Sequence, residues 1–233
     1  MRRIALLIVL FALPVLWAPP SLASDPISGN FGEGFENIGI LSDRGWVQRN
    51  NSSPTGATGW FQGTDRFAAH EGPEDSYIAA NFNNAGGAGT ISNWLMTPEM
   101  TLLNGTRIRF WTRTTAPPPG QEPFPDRLEV RLSTSGAGSD VGGTATSVGS
   151  FTTELLTINP DLSEQYPVVW TQYEIELDNI TEPASGRIGF RYYVTDSGPF
   201  GDNGNFIGID TFSVIQPVRG VIFRDRFEEE DNL

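Results

Sequence analysis

The sequence predicts an all-β protein, an antiparallel sandwich or barrel. Several stretches alternate apolar and polar residues with period two, the mark of a strand with one buried face. Clusters rich in Gly, Asn and Pro punctuate them, as turns between short strands do. No segment sustains an apolar period of 3.6, so no long amphipathic helix competes with this reading.

The clearest alternations come in the middle and at the end of the chain. Ile108, Phe110 and Thr112 interleave with Arg107, Arg109 and Arg113. Leu128, Val130 and Leu132 interleave with Arg127, Glu129 and Arg131. Tyr173, Ile175 and Leu177 alternate with Glu174 and Glu176, and Ile188, Phe190, Tyr192 and Val194 with Gly189, Arg191 and Tyr193. Further strands are expected over 35–38, 46–49, 59–62, 76–83, 93–96, 150–156 and 206–214. Turns are expected over 84–89, 104–105, 116–120 and 197–204. Charge on one face of each strand fits antiparallel sheets with one wet side.

The N-terminus reads as an export signal. Met1-Arg2-Arg3 is a positive start, Ile4 to Leu13 is unbroken apolar, and Ser21-Leu22-Ala23 supplies small residues at a cleavage site. Pro14, Pro19 and Pro20 cut the run short of the ~20 residues a membrane span needs. Residues 1–23 are therefore expected to be removed. A globular domain follows over 31–216, then a C-terminal acidic tail over 217–233 that ends in Glu228-Glu229-Glu230-Asp231. No cysteine follows the apolar run, which excludes a lipid-anchored lipoprotein. The product should be secreted or otherwise extracytoplasmic, with the periplasm as one destination.

Composition narrows the chemistry. The 233-residue chain has no cysteine, and its fifteen basic residues are all arginine. Disulfides, thiol catalysis and lysine Schiff bases are thereby excluded. The net charge of −13 becomes −15 once Arg2 and Arg3 leave with the signal. Such a surface repels nucleic acid and attracts divalent cations. A Ser-His-Asp triad would have to pass through His70, the single histidine, and no Gly-x-Ser-x-Gly elbow is present. A pair of catalytic carboxylates among the 28 acidic residues stays open, because spacing along the chain does not reveal it. Zinc is poorly served by one histidine and no thiol.

Calcium, which takes several oxygen ligands, is better served. Glu36 and Asp210 would converge if the first and last strands are neighbours, and Asp65 and Asp75 flank a loop that could close the shell. The alternative is a set of solvated acids with an Asx-turn at Asp210. Trp111 shares a strand face with Arg109 and Arg113, and Tyr193 shares one with Arg191. These two are the aromatic candidates for an exposed ligand contact.

Several segments, in order, resemble one family. They are Trp60-Phe61-Gln62-Gly63, Ser76-Tyr77-Ile78-Ala79-Ala80-Asn81-Phe82 and Ser92-Asn93-Trp94-Leu95-Met96-Thr97-Pro98. Ile108-Arg109-Phe110-Trp111, Leu128-Glu129-Val130-Arg131-Leu132-Ser133, Trp170-Thr171-Gln172-Tyr173 and Phe206-Ile207-Gly208-Ile209-Asp210-Thr211-Phe212 continue the pattern. The set resembles choice-of-anchor J and cleaved-adhesin domains over residues 31–215. The resemblance implies a galactose-binding-like, MAM-like jelly roll: a non-catalytic adhesion module for a glycan or surface partner. It also implies a structural calcium, with Glu36 and Asp210 at the family's acidic positions and Asp65 and Asp75 matching loosely. The chain departs from the family at Thr211, where a second acid often stands, and it has no sorting anchor. A polysaccharide-cleaving hydrolase or lyase on the same scaffold, and a purely structural matrix protein, are the alternatives.

Overall fold

Two antiparallel sheets pack face to face in a computed structural model that describes residues 25–218. The expected signal peptide lies outside the described residues, as does the expected tail beyond Val218. The strands are β1 (Phe31–Glu33), β2 (Val47–Asn50), β3 (Ser53–Thr55), β4 (Phe61–Gln62), β5 (Ile78–Asn81), β6 (Ala85–Met96) and β7 (Met100–Leu102). They continue with β8 (Arg107–Thr114), β9 (Leu128–Ser133), β10 (Thr153–Ile158), β11 (Thr171–Glu176), β12 (Ala184–Ser197) and β13 (Phe206–Ile215). One sheet runs β11-β8-β13-β5-β4, with β1 also on β13. The other runs β10-β9-β12-β6-β2, with β3 on β6 and β7 on β12. This is the expected antiparallel β-sandwich, a jelly roll. Among the described residues no helix is long and apolar enough to cross a membrane.

The period-two alternation builds the core directly. Ile108 and Phe110 of β8 and Ile207, Ile209 and Phe212 of β13 face Val130 of β9 and Ile188, Phe190 and Tyr192 of β12, all buried in one cluster. Phe190 meets Phe110 and Phe212 edge-on, with centroids 5.0 and 5.7 Å apart, a favoured aromatic geometry.

Three segments depart from the sequence expectation. The glycine-rich stretch 84–89, expected to be a turn, is largely the first half of the long strand β6. Its glycines serve close backbone approach: a Cβ on Gly89 would lie 2.8 Å from the Ser53 carbonyl oxygen of β3. At 35–38 the chain leaves β1, and Phe35 adopts φ 55° while its buried ring packs edge-on against Trp46. A 3₁₀ turn, Ile38–Ile40, follows in place of the expected strand, with the Asn37 side chain accepting from Gly39 N–H. Finally, the outer faces are wet only in part: Arg107, Glu174 and Glu176 of β8 and β11 stay exposed as expected, but other outward positions are covered. Arg191, on the outer face of β12, is 2% exposed.

Loops cover part of both outer faces. On the β8-β13-β5 sheet, Phe67 of the loop before β5 stacks on Tyr77 at 4.9 Å and meets Trp170 and Phe206 edge-on. On the β9-β12-β6 sheet, Val141 and Phe151 of the loop after β9 are fully buried against Trp94 and Met96. The aromatic cover needs Gly208 beneath it, since a Cβ there would lie 2.9 Å from both Trp170 and Tyr77 ring carbons and 3.0 Å from Phe67. Gly208→Ala is expected to lower unfolding stability by about 1–3 kcal/mol through overpacking, read from the urea midpoint.

Candidate functional site

The first and last strands do pair, in the register Phe31↔Val214 and Glu33↔Phe212. The four expected calcium ligands nevertheless do not form a shell. Among the described residues no group of three or more acidic or histidine side chains is placed to hold a metal ion. Asp210 is fully buried on the outer face of β13, at a bulge where Thr211 takes φ 49°. Its Oδ2 accepts the backbone N–H groups of His70 (2.8 Å) and Glu71 (3.1 Å), and its Oδ1 accepts that of Thr211 (2.6 Å). Asp210 thus clamps the covering loop by direct hydrogen bonds. Glu36 is exposed beyond the end of β1. Asp65 and Asp75 are exposed on the rim of a separate hollow shared with Glu74. Asp65 and Asp75 share that hollow without Glu36, and the buried Asp210 is spent on backbone donors.

Both expected aromatics are half-buried under other side chains. The His70 ring lies on Trp111 at a centroid separation of 3.8 Å, and its Nδ1 is 2.9 Å from the Thr211 hydroxyl. Tyr193 carries two guanidinium groups over its ring, Arg191 at 3.7 Å and Arg127 at 4.6 Å. Arg191 is itself tied down: it donates to Ser92 Oγ, to Glu129 Oε2 and to the Ala145 carbonyl of the covering loop. Periodicity places both rings on outer faces correctly. The cover of Trp111 comes from a segment remote in sequence, and that of Tyr193 from its strand neighbour Arg191 and the remote Arg127.

With Trp111 and Tyr193 half-buried, the largest exposed rings belong to the loops at one end of the sandwich. Phe124 is 50% exposed and Phe200 83%. Phe124 stands between two hollows that share it and Asn205. The first, ≈ 320 Å³, is walled by Pro117, Pro123, Tyr166 and Val168, with the polar groups of Gln121, Glu122, Glu164 and Asp126. The second, ≈ 220 Å³, is formed by Phe82, Pro199 and the glycines 198, 201 and 204. An apolar cleft with a few convergent polar groups is the usual form of a small-ligand site.

One buried residue sets the shape of this cleft. Asp126 Oδ1 accepts the Tyr192 hydroxyl (2.5 Å) and Asn205 N–H (2.8 Å), and Oδ2 accepts the Thr114 hydroxyl (2.5 Å). Its own carbonyl accepts Asn159 Nδ2 at 2.7 Å. The loops after β8, β10 and β12 therefore meet at one residue. Burial pushes the Asp126 carboxyl up, and the donors from Asn205, Thr114 and Tyr192 pull it back. Sequence reasoning missed both Asp126 and Phe124. The available signal was an aromatic between two prolines, Pro123-Phe124-Pro125, in a segment with no strand period.

Asp126→Ala is expected to cost about 3–5 kcal/mol, because several buried donors lose their acceptor at once; equilibrium unfolding measures it. A separate pH effect follows from Asp210, whose carboxyl is pushed up by burial from 3.8 to about 6 against the pull of the three backbone donors. A raised folded pKa gives stability that is complete below the unfolded value and is lost as pH rises through about 6. Asp210→Asn should flatten that decline in unfolding free energy between roughly pH 4 and 7.

A comparison with protein-family models gives no match, and neither does one with curated protein sequences. Solved structures are similar. The K1 cleaved adhesin domain of Lys-gingipain (Kgp) from Porphyromonas gingivalis W83 matches with TM-score 0.55 and 20% identity, over 81% of this chain and 98% of that one. The K2 domain matches with TM-score 0.51 and 16% identity, over 81% and 100%. The K3 domain from P. gingivalis w83 matches with TM-score 0.50 and 16% identity, over 80% and 98%. The likeness is one of fold, and it agrees with the segments quoted from the sequence: this chain is a jelly-roll β-sandwich of the kind found in the cleaved adhesin domains.

Proposed function

We propose that this protein is an exported, non-catalytic glycan-binding module whose ligand lies in the loop-end cleft. The observation that carries the reading is Phe124, a half-exposed ring set between two hollows that both touch Asn205. A sugar presents an apolar C–H face to an aromatic ring and hydroxyls to amides and carboxylates, and the cleft offers both kinds of surface side by side. The adhesin domains that share the fold are consistent with a binding role, and fold alone does not fix one.

A hydrolytic reading has one observation in its favour, the three carboxylates of the first hollow. Asp126 speaks against it. Both of its oxygens already accept structural donors, so it cannot exchange a proton with a substrate without releasing the loops. Glu122 and Glu164 are exposed, without the burial that tunes a catalytic acid.

On a glycan array the protein is expected to retain a restricted set of sugars. Phe124→Ala should weaken that binding about tenfold, the equivalent of one lost stacking contact. Trp111→Ala and Tyr193→Ala should leave it unchanged wherever the variants stay folded. Equal binding by Phe124→Ala and the parent protein would remove the cleft from consideration, and release of reducing ends from a retained glycan would overturn the non-catalytic reading.

A further inference from the structure

We infer that the cleft selects uncharged oligosaccharides of at least two units laid across Phe124, and rejects glycans that carry carboxylate or sulfate groups. This rests on the glycan reading above and adds to it the class of sugar and its length.

Length follows from the division of the cleft. Phe124 and Asn205 border both hollows, so a ligand seated in one meets the same ring and amide as a ligand seated in the other. The hollows differ in character. The first, ≈ 320 Å³, presents Gln121, Glu122 and Glu164 and suits a unit with several free hydroxyls. The second, ≈ 220 Å³, is floored by glycines and edged by Phe82 and Pro199, and suits a unit that offers a flat apolar face. Gly204 keeps this floor low: it has φ 86°, and a Cβ there would lie 2.3 Å from Ser197 Oγ. A single sugar fills one hollow and leaves the other wet. A second unit engages the opposite side of the Phe124 ridge.

Charge selection follows from the lining. Every side chain on the walls of the two hollows that carries a formal charge at neutral pH is a carboxylate: Glu122, Asp126 and Glu164. The nearby arginines are turned to other work. Arg113 lies over Phe67 at 4.3 Å, and Arg127 over Tyr193 with Nη1 on the Pro160 carbonyl. A uronate or sulfate entering the first hollow would meet two exposed carboxylates and no cationic lining residue, Arg113 being held on the Val168 carbonyl, inside a chain of net charge −13. The hydroxyls of a neutral sugar can instead donate to the same carboxylates, and such charge-assisted hydrogen bonds are the stronger kind.

The test is isothermal titration calorimetry on the folded protein. The probes are neutral glucose, galactose, mannose and xylose oligomers of one to four units, beside oligogalacturonates and heparin fragments of matched length. Neutral oligomers should bind, with affinity rising from one to two units, and acidic ones should be weaker by about tenfold or more, a gap that added salt narrows. The double variant Glu122→Gln/Glu164→Gln should shift the ratio toward the acidic probes, with an unchanged melting curve as its control for folding. Acidic probes binding as tightly as neutral ones, or no gain between one and two units, would overturn this inference and leave the glycan reading standing. Failure of every probe to bind would instead remove the glycan reading itself.

Discussion

The Asp126 carboxylate is the contact on which the functional end of this molecule depends. It is 1% exposed and joins the ends of β8 and β12 to the chain entering β13. Unpaired, a buried carboxylate would cost several kcal/mol; surrounded by donors, it makes any other arrangement of these loops costly instead. The same device recurs. Asp210 clamps the loop before β5, and Arg191 holds the loop after β9 through the Ala145 carbonyl. Asn159 ties the loop after β10 to Asp126 and Ser163. In a chain with no cysteine, buried polar side chains do the work of crosslinks.

These clamps decide where a ligand can bind. A two-layer sandwich normally leaves at least one sheet face to solvent. Here part of each face carries a third, irregular layer of largely buried aromatic and aliphatic side chains. Trp94, Trp111 and Tyr193 are used to seat that layer. Surface of the kind that attracts ligands is left at the loop end, where Phe124 and Phe200 stand free.

The core strands were legible because each side chain's fate depends on its neighbours two residues away. The alternations in β8, β9, β11, β12 and β13 gave the layers and the inward residues nearly as found. The glycine run at 84–89 misled because glycine marks both a turn and a close backbone approach, and only the position of β3 tells them apart. The site was hidden for a related reason. Asp126 follows a proline and looks like any solvated turn acid; its burial comes from Tyr192, 66 residues away, and Asn205, 79 away. Trp111 was placed on the right face, yet its cover is His70, which no local pattern connects to it. The expected metal residues share this limit: adjacency of the first and last strands entered only as a condition, and the turn at Phe35 that leaves Glu36 in water has no local pattern.

The pairing of β1 with β13 has a mechanical consequence. Asn205, which borders both hollows, lies just before β13, while Phe31 pairs with Val214 at that strand's other end and Gln216 N–H is held by Asn30. At ~3.3 Å per residue, ten residues of strand separate the two ends by roughly 30 Å. The sandwich is therefore a cassette whose entry and exit lie side by side at its base. A tether on either flank would point the cleft outward, and tension across both flanks would unzip the β1–β13 contact from its base while leaving the Asp126 loops unloaded.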